Sequence, residues 1–352
     1  MEATKVVPEG IALGGRTYAI VDALTMPAAE RRWLEEWRAA GLGCVNCCVA
    51  VWENATEAMA VLGKWRLLIA QNSDIVAQAA SVAEIEAIRK SGRTAIVLGF
   101  QNTAPVEHNL DLFGVYRDLG VCIMQLTYNL QNYIGCGYWE AKDTGISSRF
   151  GQIALEEMAR VGIMVDLSHC GERTTLEAID LSPRPVAITH ANPREYVGAG
   201  VYGAGRLKTT EAIKALAARK GVIGLTPNRN MTKNGAATTL EEFGDMVAWV
   251  VDRIGVDAVG IGTDYCPGHP NTVRTWWRYA RWSRESAPGE QMKIAPHEGW
   301  SDWMKTQAGM ANVMRELARR GFSQDEIAQI AGGNWLRIFN ETFTPMKGAA
   351  HA

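Results

Sequence analysis

The chain has 352 residues, with 36 Lys and Arg against 38 Asp and Glu, a formal net charge of −2. That balance leaves no basic face for a sequence-independent nucleic-acid binder, which works by displacing counterions from phosphates. Apolar residues make up 47% and charged residues 21%, the usage of a globular chain rather than a disordered one; no run approaches the ~18 apolar residues of a membrane span, and the first residues lack the apolar stretch of a secretory signal.

In chain order, short apolar strands are predicted to alternate with helices. A strand over 18–24 precedes a helix over 27–40, and a strand over 44–51 precedes a helix over 57–71 and a short one over 82–91. Strand 95–100 (AIVLGF) leads to helix 110–119, and strand 121–127 (VCIMQLT) to a long polar loop and helix 150–161. Strand 163–167 precedes helix 173–180, strand 185–189 precedes helix 209–220, and strand 221–226 precedes helix 240–254. The eighth strand is 258–262 (AVGIG), with a later helix over 308–321.

Such continuous apolar, β-branched runs suit parallel strands buried on both faces. Eight β/α units in roughly 250 residues is the arithmetic of a (β/α)8 TIM barrel, an α/β fold. A doubly wound sheet would usually carry a glycine-rich phosphate turn after its first strand, and none is present. With no Pro/Ser-rich linker and no internal repeat, the expectation is one domain over 1–352. Five of the 12 tryptophans fall between 276 and 303, so a Trp-rich insertion at about 266–305 is expected over the barrel mouth.

Seven cysteines, an odd number, lie mostly along apolar runs. A disulfide scaffold is not expected, and the natural reading is a reducing cytoplasm. The Cys44-x-x-Cys47 pair sits inside a β-run rather than opening a helix, where the dipole would lower a thiol pKa. It reads as packing. The usual nucleotide, serine-hydrolase and HExxH zinc motifs are absent.

In such a barrel, chemistry gathers at the C-terminal ends of the strands. Those ends carry Asp22, Gln101, Tyr128, His169, His190, Asn228 and Asp264. Two of only six histidines end consecutive strands, in DLSH169 and ITH190. Consecutive strands are neighbours, so the two imidazoles can converge on one ion, and zinc favours imidazole. Each histidine alone could equally hydrogen-bond a loop. Asp264, in GIGTD, suits a general base or an anchor for a substrate ammonium, or a plain turn aspartate before Pro267-Gly268. Asp166 reads as an orienting group behind the histidines.

The segments DLSH169, ITH190, GVIGLT226 and GIGTD264, with a late GGN334, resemble the renal (membrane) dipeptidase family of the amidohydrolase superfamily, from about Asp22 to Asn340. The resemblance implies a (β/α)8 barrel with two zinc ions that hydrolyses dipeptides, including those with a D-residue second. It implies that His169 and His190 bind the second zinc, that Asp264 handles the substrate amine and proton, and that Arg206 holds the substrate carboxylate. Leu207 replaces the usual asparagine beside that arginine.

The departures are as informative. Where the family has Asp-Gly-His-x-Asp, this chain has Asp22-Ala23-Leu24-Thr25-Met26, without the two ligands of the first zinc. Gln101, in GFQNT, replaces the metal-bridging glutamate, and Tyr128 replaces a histidine associated with the scissile carbonyl. The first metal site is therefore expected to be lost.

The expectation is a divergent metal-dependent amidohydrolase acting on a small amide or dipeptide-like substrate. One zinc per chain, or none, would sit on His169 and His190, with Gln101, Asp22 or Glu53 as a possible third ligand. Asp264 as base and Tyr128 as oxyanion donor are the catalytic candidates. Arg206, Gln101, Asn228 and Trp276 are the candidates for substrate binding. The Trp-rich segment reads as a lid or as a subunit interface, and a homo-oligomer without nucleic-acid or membrane partners is expected. The alternatives are a lyase, decarboxylase or isomerase on the same barrel, or a non-catalytic ligand-binding protein, because fold does not fix function.

Overall fold

A computed structural model describes residues 5–7, 10–146, 148–201, 203–279 and 300–346. It opens with a small antiparallel sheet of β1 (Lys5–Val7), β2 (Gly10–Leu13) and β3 (Arg16–Tyr18). Sequence periodicity does not announce these strands, because three or four residues are too few to show a repeat.

The frame follows: β4 (Ile20–Thr25), β5 (Leu42–Ala50), β6 (Val76–Gln78), β7 (Thr94–Phe100), β8 (Val121–Gln125), β9 (Met164–Asp166), β10 (Ala187–Ile188), β11 (Val222–Leu225) and β12 (Val259–Ile261). Eight of them run side by side in the order β4-β5-β7-β8-β9-β10-β11-β12, all parallel. β6 pairs with the first half of β7, at Val76↔Thr94 to Gln78↔Ile96. The ring closes just past β12, where Thr25 bridges Tyr265 in parallel and the Asp264 amide donates to the Leu24 carbonyl at 3.0 Å. This is the eight-stranded α/β barrel expected from the sequence.

Helices cover the outer face, among them Arg31–Ala39, Ala55–Gln71, Ser148–Val161 and Leu240–Ile254. Two of these four start with capping boxes, Asn54 with Glu57 and Thr239 with Glu242, each contact of a kind that contributes roughly 1 kcal/mol. The first helix begins at Arg31 rather than 27. Its would-be first turn is instead pinned to the closure segment, with the amides of Met26 and Ala28 donating to the carbonyls of Tyr265 and Pro267.

The far end of the barrel is filled from the GGN segment. Trp335 is fully buried, and a Cβ on Gly260 would lie 2.3 Å from its Nε1, so glycine there makes room for the indole. Asn334 locks the plug in place by donating to the carbonyls of Val256 and Val259, both at 2.8 Å. Truncating a buried tryptophan of this kind costs about 3–5 kcal/mol. No described helix is long and apolar enough to cross a membrane.

Within the Trp-rich region, Asn271–Tyr279 is helical; residues 280–299 of the expected insertion lie outside the described residues.

Candidate active site

The strand ends bring five of the expected residues to one cavity at the mouth: Tyr128 after β8, His169 after β9, Arg206, Asn228 after β11, and Asp264 after β12. Asp264 is held there by a left-handed backbone, φ 53°, a conformation that aspartate tolerates better than most side chains. Its Oδ2 accepts from Asn228 Nδ2 at 2.8 Å. Burial pushes its carboxyl up to about 6, against the pull of Arg206 and of the Asn228 hydrogen bond.

Arg206, in the turn Ala204–Arg206, spends Nη2 on the His190 carbonyl at 3.0 Å. Its buried Nε has no acceptor among the described residues. A buried guanidinium with an unspent donor is suited to a carboxylate. Tyr128 lies against His169, ring centroids 3.9 Å apart and stacked. Burial, with the Asp264 carboxylate next, raises its phenol pKa, so the hydroxyl stays protonated as a donor.

Behind this wall the two imidazoles are fixed by different partners. His169 Nδ1 lies 2.7 Å from Asn129 Oδ1, an acceptor, and so carries the proton. His190 Nδ1 lies 2.8 Å from Thr189 Oγ1. Thr189 gives its hydroxyl proton to Asp166 Oδ2 at 2.7 Å, so it accepts from His190. Asp166 in turn accepts from the Ser168 amide and hydroxyl and the Thr189 amide. Four donors on one carboxylate favour its ionised form against the upward push of burial.

Both histidines therefore present a bare Nε2, with ring centroids 5.2 Å apart. The Nε2 of His190 is buried without any partner among the described residues. Burial and the nearby Arg206 guanidinium hold both imidazoles well below their usual range, and so neutral. Two bare, neutral imidazole nitrogens at this separation fit two ligands of one zinc ion.

The proposed third ligands are placed elsewhere. Asp22 is fully buried in a knot that ties β4 to β12 and the loop beyond: it accepts from the Thr263 amide and hydroxyl at 2.8 and 2.5 Å, from Gln307 Nε2 at 2.5 Å and from the Leu24 amide. Gln101 is buried off the cavity wall, against Met26. Glu53 lies on a different cavity, beyond Trp52. Among the described residues, no three His, Cys, Asp or Glu side chains form a metal-sized group.

The expected loss of the first metal site has a physical form. Leu24, Met26, Cys48, Val51, Trp52 and Trp277 pack into one apolar cluster, with Trp276 against its edge. Two of these occupy the positions where the resembled motif has a histidine and an aspartate. Such a cluster offers a cation neither charge nor donor atoms beyond weak sulfur.

Trp276, expected to bind substrate, does not line this cavity. Its neighbour Trp277 lines the cavity, together with Trp300 from the far side of the insertion, since successive helical side chains point about 100° apart. Sequence reasoning also missed Asn129 and Lys208. Lys208 is buried, donates to the Cys170 carbonyl and Thr175 Oγ1 at 2.8 and 2.9 Å, and anchors the His169 loop to the Arg206 segment. A basic residue two places after Arg206 gave no hint of burial. All seven cysteines are free, and six are buried, in keeping with a packing role.

Residues 37–281 match the sequence profile of the membrane dipeptidase family, peptidase family M19. The chain belongs to that family. It is 30% identical over 298 residues to dipeptidase verJ of Clonostachys rogersoniana, covering 83% of this chain and 66% of that one. It is 26% identical to dipeptidase tcpJ of Claviceps purpurea over 76% of this chain and 56% of the relative. The chain thus spans between about half and two thirds of the length of these curated relatives. Among solved structures, an amidohydrolase from Pseudomonas aeruginosa superimposes with a TM-score of 0.85 at 31% identity, covering 93% of this chain and 97% of that one. Members of this family are metal-dependent hydrolases of C–N bonds.

Proposed function

We propose that this protein hydrolyses the C–N bond of a small, carboxylate-bearing amide, a dipeptide or an N-acyl amino acid, at the barrel mouth. The observation that carries this reading is the placement of Arg206, Tyr128 and Asp264 on one cavity wall with His169. The cavity is small, about 100 Å³, which favours a compact amide over an extended peptide.

Arg206 would take the substrate carboxylate through its unspent Nε. Tyr128, its hydroxyl without a partner among the described residues, would donate to the carbonyl oxygen as negative charge develops. Asp264, with its carboxyl near 6, is mostly ionised at pH 7. It would accept a proton from the attacking water and pass it to the leaving amine as the C–N bond breaks. Asn228 keeps that carboxylate aimed. His169 and His190 would hold a zinc ion through their Nε2 atoms, and such an ion would supply Lewis acidity at the mouth.

The test is an assay of dipeptides and N-acyl amino acids with and without added zinc, alongside metal analysis of the same preparation. Zinc-dependent release of a free amine from at least one compact substrate is expected. No hydrolysis by zinc-loaded protein across the panel would remove this reading.

A further inference from the structure

A second, larger cavity lies on the other side of Trp52. It encloses about 600 Å³ at the ends of β5, β7 and β8, within the range of small-molecule sites. Trp52 and Tyr133 supply its aromatic surface, and Glu53 and Glu107 supply two carboxylates; no Lys, Arg or His among the described residues lines it. Tyr133 is 63% exposed. The Trp52 indole donates to the Trp277 carbonyl at 2.8 Å and meets the Tyr128 ring edge-on, centroids 5.6 Å apart. Tyr128 lines the catalytic cavity, so these two rings stand between the two spaces.

One further group on this wall is unspent. Asn102 is 1% exposed, and its Oδ1 accepts from Asn132 Nδ2 at 2.9 Å. Its Nδ2 has no acceptor among the described residues. A buried amide donor left unpaired is unfavourable by roughly 1–3 kcal/mol, so its presence on a cavity wall points to a ligand that brings an acceptor. Glu53 Oε2 accepts from the Val51 amide at 2.6 Å, and Glu107 Oε1 accepts from the Ala55 amide at 3.3 Å. The Glu53 carboxylate also draws on the amides of Trp52 and of Glu53 itself, and both glutamates line the cavity.

We infer that this cavity is a binding site for a small organic cation: a primary ammonium on a flat or aliphatic body that also carries a hydrogen-bond acceptor. The ammonium would sit between the carboxylates and the ring faces, where cation–π attraction adds to the ion pair. The acceptor would meet Asn102. Nothing here depends on Asp264, Arg206 or a metal ion, so the site stands or falls apart from the hydrolytic reading.

The test is calorimetric titration of the full-length protein with 4-aminomethylbenzamide, which carries an ammonium, a ring and an amide acceptor. Its uncharged analogue 4-hydroxymethylbenzamide and its anionic analogue 4-carboxybenzamide serve as comparators. Saturable binding of the ammonium compound at a one-to-one ratio is expected, with the comparators at least about fivefold weaker. Glu53→Gln and Glu107→Gln should each weaken it by about fivefold or more. Asp264→Asn should leave it unchanged. Equal binding of all three compounds, or Glu variants that bind as wild type, would overturn the site. Loss of binding in Asp264→Asn would also overturn it, by moving the ammonium into the catalytic cavity. Circular dichroism of each variant guards against misfolding, and Trp52→Phe provides a further arm that keeps the fold while thinning the aromatic wall.

Discussion

Gln101 Nε2 lies 3.6 Å from Met26 Sδ, an amide beside a thioether at the place where the resembled dipeptidase motif brings two carboxylates towards a pair of zinc ions. Neither group carries a charge, and the surrounding Leu24, Cys48, Val51 and Trp52 are apolar. The positions that correspond to the resembled first-zinc ligands thus lie in apolar core. Elemental analysis after chelator-free purification should give at most about one zinc per chain, and His190→Ala should reduce it at least tenfold. Two equivalents in the wild type would contradict the apolar filling.

Asn129 and Thr189 fix the two imidazole tautomers. Long-range proton–nitrogen NMR on the metal-free protein should show both rings as neutral Nδ1–H forms at pH 7. Burial lowers both pKa values, so the rings should stay neutral as the pH falls through the ordinary histidine value of about 6.5. Titration of either ring near 6.5 would count against the burial described.

Asp264 acts deprotonated in the proposed reaction, and its carboxyl lies at about 6. The value of kcat/KM should therefore drop as the pH is lowered through about 6 and level off above about 7. Asp264→Asn should fold normally and lose roughly 100-fold or more in kcat. Near-wild-type turnover would remove it as the base.

Asp22 accepts four hydrogen bonds, two of them from Thr263 just past the last barrel strand and one from Gln307. Asp22→Ala would strand those donors, and unfolding should show a loss of about 3–5 kcal/mol, on the scale of breaking a buried charged network. Zinc content per folded chain should not change. A stable variant that had lost its metal would instead make Asp22 a ligand.

The barrel was legible because its strands are continuous apolar runs separated by helices, a pattern that local residue order carries. The N-terminal antiparallel sheet was not, since its strands are too short to repeat. His169 and His190 stood out by ending neighbouring strands in a chain with six histidines. Asn129 did not, because an asparagine in a polar loop looks the same whether or not it orients an imidazole. Trp276 and Trp277 could not be told apart before the helix phase was known.

Residue identity along the chain was enough for the fold class, for the pair of strand-end histidines, and for the replacement of the resembled family's histidine and two carboxylates by Leu24, Met26 and Gln101. These are local facts, set by which atoms each side chain carries. The tertiary structure decided what Asp22 does and which tryptophan meets the cavity. Asp22 reaches Thr263, 241 positions away, only because the first and last strands close the ring, and no local periodicity encodes that meeting. It also gave the tryptophans separate places: Trp277 packs into the apolar cluster around Leu24 and Met26, while Trp52 stands between two cavities of different chemistry.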